Sequence, residues 1–279
     1  MKSTDNIPAM RRIWKKCFEA DTEFLNLFFG KGPNLCKTYF RQEGNDIASS
    51  LSVFPVQYNG HSGGYVYGVC TAPEYRGHSY AVTLLRKAEE DCMHNLGMDF
   101  FLLRPASESL FNYYKKQGYS LSIHRGRFCT QLPQIPEQVH FSPITGTDLY
   151  FLRKKYYAKT VGIFEWEINT CGYILDYIAY CHGKAAAIHS TAVEKETTYF
   201  LGYPSADNPQ TIICEETGIL PDGSNLNTIT SAIRLLYPSA INAIINNPYL
   251  EQNEDFLLSK CLNENFSIDG NPLFSFTME

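Results

Sequence analysis

Positive charge is in deficit: 24 Lys and Arg stand against 29 Asp and Glu, a net charge of −5. Charged residues of both signs make up only 19% of the chain, below the ~25% of ordinary globular proteins. Such a chain offers no basic surface for phosphate backbones, so nucleic-acid binding is excluded as its main task. A cationic substrate remains compatible with the balance. Long apolar runs are missing too; none approaches the ~18 residues of a helical membrane span, so no membrane partner is expected. The stretch from Met1 to Lys16 carries Lys2, Asp5, Arg11, Arg12, Lys15 and Lys16 with no apolar centre, which does not read as a signal peptide. Cysteines at 17, 36, 70, 92, 129, 171, 181, 214 and 261 form no C-x-x-C pair and no Cys/His cluster with zinc spacing, so no metal is expected. Odd in number and well separated, they read as buried, reduced thiols of a cytoplasmic protein.

What the chain does have is apolar mass, 44% hydrophobic with 19 Tyr and 18 Phe. Its 279 residues suit one large domain or two ordinary ones. Richness in Tyr fits either large cores or a concave, partly apolar surface where rings pack and hydroxyls reach polar groups.

The pattern alternates helices and strands. Pro8 suits an early helical position, and Ile7, Met10, Ile13, Trp14, Cys17 and Phe18 follow at helical spacing. Thr22 to Phe29 form a second helix, stopped by Gly30 and Pro33. Residues 47–58 and 65–71 read as strands joined by the glycine-rich reversal NGHSGG. In the next segment Ala81, Leu84, Leu85, Ala88 and Cys92 form one apolar stripe, with Arg86, Lys87, Glu89 and Glu90 opposite. Gly97 is placed for a left-handed cap. A short strand at 99–103 precedes a helix opened by Ser107 and ended by Gly118. The strand–helix–strand order makes the sheet locally parallel there. QLPQIPEQ, residues 131–138, is the linker candidate. Beyond it, helices are predicted at 145–158, 165–182, 225–236 and 254–263, and strands at 185–193, 197–203, 210–216 and 239–245. The element order of the second half echoes the first, placing halves at 1–130 and 139–279.

The chemistry concentrates in VCTAPEYRGHSYA, residues 69–81. A strand ends, the chain turns, and a helix begins among small residues. Free N–H groups and the dipole at a helix N-terminus make an anion site. Gly77, Ser79 and Ala81 leave a phosphate room to approach the backbone, and Arg76 adds charge. A turn without a ligand is the plain alternative.

This stretch resembles motif A of the GNAT acyltransferase superfamily: Arg or Gln, two residues, Gly, one residue, then Gly or Ala. Arg76 and Ala81 match its ends, while Ser79 stands where the central glycine is usual. SLFNYYKKQGY, residues 109–119, is similar to the superfamily's next motif through Tyr114, Gly118 and Tyr119. With the N-terminal helix pair, the likeness is to the enhanced-intracellular-survival (Eis)-like branch, in which an acetyltransferase domain precedes a second, degenerate one. The resemblance implies an α/β (α+β) fold, a mixed, mostly antiparallel sheet flanked by helices, followed by a degenerate GNAT-like half. It also implies acetyl-CoA as cosubstrate and an N-acetyltransferase acting on a small or lysine-like primary amine, with homo-oligomers known among relatives. Val69, Cys70 and Thr71 would pair with pantetheine. The amides of Arg76, Gly77, His78, Ser79, Tyr80 and Ala81 would hold pyrophosphate. Tyr114 would act as general acid. For the base, Glu43, Asp46, Asp99 and Glu108 lie near relevant loops, and the resemblance implies the terminal carboxylate, Glu279. A non-catalytic acyl-CoA sensor is the alternative function. In the second half, GILPDGSNLNTITSAIRLL lacks the small-residue spacing and carries Asp222, and LLSKCLNENFSI only echoes the tyrosine motif. The run Arg153, Lys154, Lys155 reads as a solvated helix face.

Overall fold

Two β-rich runs generate the longest strands. The computed structural model describes residues 6–157, 162–190, 197–246, 249 and 254–268. Strand β2 (Asp46–Tyr58) returns as β3 (His61–Thr71), and β1 (Lys37–Glu43) lies on its other edge. The reversal is tighter than the sequence suggested. Asn59 and Gly60 alone form it, both with positive φ, 49° and 83°, the backbone of a two-residue hairpin turn. Gly63 and Gly64 belong to the strand, where a side chain would run into Phe100 and Phe101.

Helices α1 (Ile7–Phe18) and α2 (Thr22–Lys31) precede this hairpin; α3 (Tyr80–Leu96) leads to β4 (Phe100–Leu103), which pairs parallel with β3, and α4 (Glu108–Lys115) leads to β5 (Leu121–Arg125). Alternation along the strands sends Phe54, Val56, Tyr65, Phe100 and Leu102 to a core shared with α1 and α2. Leu51, Val53, Val66, Phe101 and Leu103 go to the opposite core under α3 and α4. β4 is buried on both faces, which is why it reads as a continuous apolar run.

The second half repeats this plan. Strands β6 (Arg127–Gln131) and β7 (Val139–Ser142) are followed by α5 (Gly146–Tyr157), β8 (Phe164–Trp166), α6 (Ile168–Tyr180), the antiparallel β9 (Lys184–Ser190), β10 (Thr197–Pro204) and β11 (Thr211–Thr217), then α7 (Leu226–Leu236), β12 (Asn242–Asn246) and β13 (Glu254–Cys261). β11 and β12 are parallel across α7, as β3 and β4 are across α3. The two sheets exchange strands. β13 inserts between β4 and β5, giving the order β1-β2-β3-β4-β13-β5 with β8 beside β2, and β6 completes the other sheet as β6-β12-β11-β10-β9-β7.

Four sequence readings change here. Residues 254–263 were expected to be helical, but 254–261 form β13. Buried between two strands, Phe256, Leu257 and Leu258 need apolar character on both faces, and such a short run carries no period that separates strand from helix. Glu89, assigned to the polar side of α3, is buried: its carboxylate accepts from Tyr119 Oη at 2.9 Å and Lys260 Nζ at 2.6 Å. Arg153 is buried as well and donates from Nε to Glu216 Oε1 at 2.8 Å, while Lys154 and Lys155 face solvent. None of the cysteines forms a disulfide; Cys129 and Cys261 are exposed and only Cys70, Cys92, Cys171 and Cys214 are fully buried, where the sequence reading put all nine inside.

Candidate active site

The site begins where β3 and β4 part. Their last parallel pair is Val66 with Leu103, although β3 runs on to Thr71. Against β2, Ser52 pairs with Tyr67 and Ser50 with Cys70, so Gly68 and Val69 together oppose Leu51. This is a bulge with a left-handed glycine, Gly68 at φ +62°, a device that bends a strand. The edge of β3 facing β4 is thereby freed of strand pairing from Tyr67 onward.

A cavity of about 560 Å³ opens at the split. Tyr65, Tyr67 and Val69 of β3 form one wall; Leu103, Arg104 and Pro105 at the end of β4 form another. Leu110 and Tyr114 of α4 close one side, and the α1–α2 turn brings Phe18, Glu19 and Asp21. Tyr180, at the end of α6, reaches in from the second half and donates its hydroxyl to Asp21 Oδ2 at 2.9 Å. Asp21 also caps α2, accepting from Phe24 N–H at 2.7 Å. That backbone donor, then Tyr180, holds the Asp21 carboxyl below the usual carboxylate range. Burial, then the hydrogen bond to Asp21, pushes the Tyr180 phenol up to about 12.

Tyr114 lies 7% exposed, edge-on to Tyr113 at 5.1 Å and Tyr119 at 6.0 Å between ring centroids. Burial, with smaller effects from Tyr113 and Cys70, raises its phenol far above the ordinary value, so it keeps its proton at neutral pH.

The turn after β3 is exposed from Arg76 to Ser79. Gly77 and Ser79 are both left-handed, φ 84° and 59°. This accounts for the glycine usual at the position of Ser79, since a side chain there costs about 1–2 kcal/mol. Thr83 N–H closes onto Ser79 O at 3.0 Å, so the N–H groups of Tyr80, Ala81 and Val82 stand at the open end of α3. His78 Nδ1 lies 3.1 Å from Arg76 O and 3.2 Å from Tyr75 O, folded onto its own turn. Arg76 Nε donates to Thr71 O at 3.3 Å. Cys70 is buried with its sulfur 3.2 Å from Ser50 Oγ. The structure thus brings Val69 and Tyr114 to the cavity, and Arg76 to Ala81 to the helix N-terminus beyond the end of β3.

The four carboxylates suggested as bases are not cavity residues. Glu43 is ion-paired to Arg41 at 2.7 Å, and Asp46 faces Arg12 at 3.9 Å. Asp99 precedes β4 at its far end, bonded to His61 at 2.8 Å and Asn263 at 2.7 Å. Glu108 opens α4. Glu279 lies outside the described residues. Sequence reasoning missed Glu19 and Asp21, which do line the cavity. It also missed Arg41, whose guanidinium lies 5.3 Å over the Tyr80 ring beside the turn. A helix–turn–helix acid carries no motif, and Arg41 arrives from a strand remote in sequence.

In the second half the corresponding place is filled among the described residues. Its bulge places Glu215 as the extra residue, since Leu201 pairs with Glu216 and Gly202 with Cys214. Asn246, just where β12 would part from β11, donates to Glu215 O at 2.9 Å and Glu215 Oε2 at 3.0 Å. Tyr203 Oη donates to Glu215 Oε1 at 2.6 Å, and Arg125 lies 3.8 Å from Oε2. Polar side chains occupy the place of the cleft.

Residues 2–122 match the family model of the acetyltransferase (GNAT) domain. The chain carries a GNAT acetyltransferase domain. Across the whole chain the GNAT fold recurs in solved structures. The "Probable N-Acyltransferase" of Enterococcus faecalis, a conserved protein of unknown function, aligns with TM-score 0.72 at 15% identity, covering 93% of this chain and 71% of that one. Eis1 from Mycobacterium abscessus aligns with TM-score 0.59 at 8% identity, covering 94% and 72%. A tandem GNAT protein from the clavulanic acid biosynthesis pathway aligns with TM-score 0.54 at 10% identity, covering 95% and 97%. No curated protein sequence matches. These likenesses establish the fold of both halves, with the GNAT domain retaining the open cleft. Among the described residues no helix is long and apolar enough to cross a membrane and no group of His, Cys, Asp and Glu is placed to hold a metal ion.

Proposed function

We propose that the chain moves the acetyl group of acetyl-CoA to a primary amine by direct attack within the β3–β4 cleft. The observation that carries this reading is the split itself: a bulged strand freed of its parallel neighbour, leading into a left-handed turn and an exposed helix N-terminus. The residues present fit the cofactor. Main-chain groups of Val69, Cys70 and Thr71 lie along the part of β3 that would pair with pantetheine. The amides from Arg76 through Gly77, His78, Ser79 and Tyr80 to Ala81 would receive pyrophosphate. Bound there, acetyl-CoA supplies an activated acyl thioester.

The protein's own part is positioning, polarisation and proton handling. Backbone N–H groups beside the bulge would stabilise negative charge on the thioester oxygen. Tyr114, protonated and buried against the cavity, would deliver a proton to the departing sulfur. Removal of the ammonium proton needs a base; Glu279 is the candidate from family resemblance, and Glu19 and Asp21 are the carboxylates that line the cavity. The halves at 1–130 and 139–279 would divide the labour, the first binding cofactor and the second bounding the acceptor end.

Two measurements test the reading. Acetyl-CoA at 100 times its dissociation constant should stabilise the protein by about 2.7 kcal/mol; no thermal shift at millimolar CoA would end it. Tyr114→Phe should lower kcat by about 10²-fold or more while CoA still binds; an unchanged kcat would remove Tyr114 from the reaction. Stabilisation without thiol release across amines would instead favour a non-catalytic acyl-CoA sensor.

A further inference from the structure

We propose that the acceptor is a primary amine carried on one flat apolar body, an arylalkylamine, rather than a polycation or a polyhydroxylated amine. This rests on the acetyl-transfer reading above and concerns the same cavity. Its acceptor end is walled by rings from four elements: Trp14 and Phe18 of α1, Phe24 of α2, Tyr65 and Tyr67 of β3, and Tyr180 of α6. The rings brace one another. Trp14 meets Phe18 edge-on at 5.5 Å, Phe24 at 6.1 Å and Tyr67 at 5.8 Å, and Phe24 lies 5.4 Å from Tyr180. Braced rings lose little freedom when a ligand ring packs among them, and aromatic pairs add attraction beyond burial.

The charges point the same way. Glu19 and Asp21 stand on the α1–α2 turn at the cavity, and Glu19 is held left-handed at φ 52°. Asp21 is fixed by Phe24 N–H and Tyr180 Oη. The two carboxylates of this turn suit an ammonium. On the β4 side Arg104 also lines the cavity, its guanidinium 4.7 Å over the Phe256 ring, and its positive charge disfavours a second ammonium there. A sugar-like acceptor would instead leave many hydroxyls against rings, a cost that such a wall does not repay.

The test uses the full chain with acetyl-CoA and four probes: 2-phenylethylamine, butylamine, spermidine and kanamycin. Thiol release gives kcat/KM, and calorimetry on the CoA-loaded protein gives amine affinity. The expected result is a kcat/KM for 2-phenylethylamine about tenfold or more above butylamine, with spermidine and kanamycin lower than both. Phe18 is 43% exposed, and Phe18→Ala, its fold checked by melting temperature, should erase most of that tenfold advantage, read as the ratio of kcat/KM for 2-phenylethylamine to that for butylamine. Transfer that favours kanamycin or spermidine, or that treats 2-phenylethylamine and butylamine alike, overturns the proposal and leaves acetyl transfer standing. Ring-selective binding lost in Phe18→Ala, but without thiol release from any probe, supports the acceptor class and overturns the catalytic reading. Neither binding nor release overturns both.

Discussion

Replacing Gly68 by Ala puts the bulge to a quantitative test. Gly68 sits at φ +62°, and an added Cβ would lie 2.5 Å from Trp14 Cζ2 and 3.0 Å from Cη2. Two costs therefore add. A left-handed conformation costs an L-residue about 1–2 kcal/mol. Overpacking a filled core costs about 1–3 kcal/mol more. Trp14 has little room to retreat, because it stacks on Phe28 at 4.1 Å and abuts Phe29 at 5.2 Å. The expected loss is about 2–5 kcal/mol. At ~2–4 °C per kcal/mol for a chain of this size class, the melting temperature should fall by roughly 4–20 °C. Gly77→Ala is the control: it shares the left-handed backbone, φ +84°, but its Cβ would meet nothing within 4 Å. Its loss should be confined to the backbone share, about 1–2 kcal/mol. Urea and thermal unfolding of both variants read the difference directly. Equal losses in the two would refute the claim that Trp14 seats against the bulge. A Gly68→Ala protein that still binds CoA as well as the parent would refute the claim that the bulge shapes the cofactor strand.

Ser79→Gly should raise stability by up to about 1 kcal/mol, by relieving the left-handed strain, and should leave CoA binding as tight or tighter; a lower melting temperature would contradict the strained turn. The Cys17 thiol is brought down to about 7 by a hydrogen bond from Cys70 and by the Arg76 charge, which outweigh the opposing effects of burial and of Glu74. Lowering favours thiolate, so alkylation of Cys17 by iodoacetamide should rise through a midpoint about 7, and Arg76→Gln should move that midpoint upward; a midpoint in the ordinary thiol range would refute it. A fragment of residues 1–130 lacks β13 and so leaves the facing edges of β4 and β5 unpaired; it should aggregate or fail to bind CoA, and a soluble fragment with parental CoA affinity would show the strand to be dispensable.

Local chemistry made much of this protein legible. The period of α3, the cap at Gly97 and the small residues of the turn each act over a few neighbours, and the family motifs sit where those local rules hold. Long-range partners left no such trace. β13 is a strand because β4 and β5 need a partner between them, and no residue within 254–261 announces that need. Glu89 looks like a surface acid until Lys260, 171 positions away, is found beside it. Arg153 likewise waits on Glu216. At the site, the turn from Arg76 to Ala81, proposed to hold the cofactor, could be read because its backbone geometry selects small residues. The ring-lined end of the cavity, proposed to take the acceptor, could not, because Phe18, Tyr67 and Tyr180 are ordinary aromatic residues until the fold gathers them.

The strand exchange explains why a half without an open cleft still bears on the one that has it. In each sheet the parallel pair across the helix must end with a neighbour on its far side, and that neighbour comes from the other half: β13 beside β4, β6 beside β12. The closure of the second sheet by Glu215, Asn246, Tyr203 and Arg125 is polar and buried. Removing Arg125 would strand the buried Glu215 charge, which is strongly destabilising. α6 meets the first half directly, through Tyr180 on Asp21 and Asp176 on Lys31 at 2.5 Å. Substitutions on α6 should therefore reshape the end of the cavity lined by Tyr180 while the turn from Arg76 to Ala81, carried wholly by the first half, keeps its geometry.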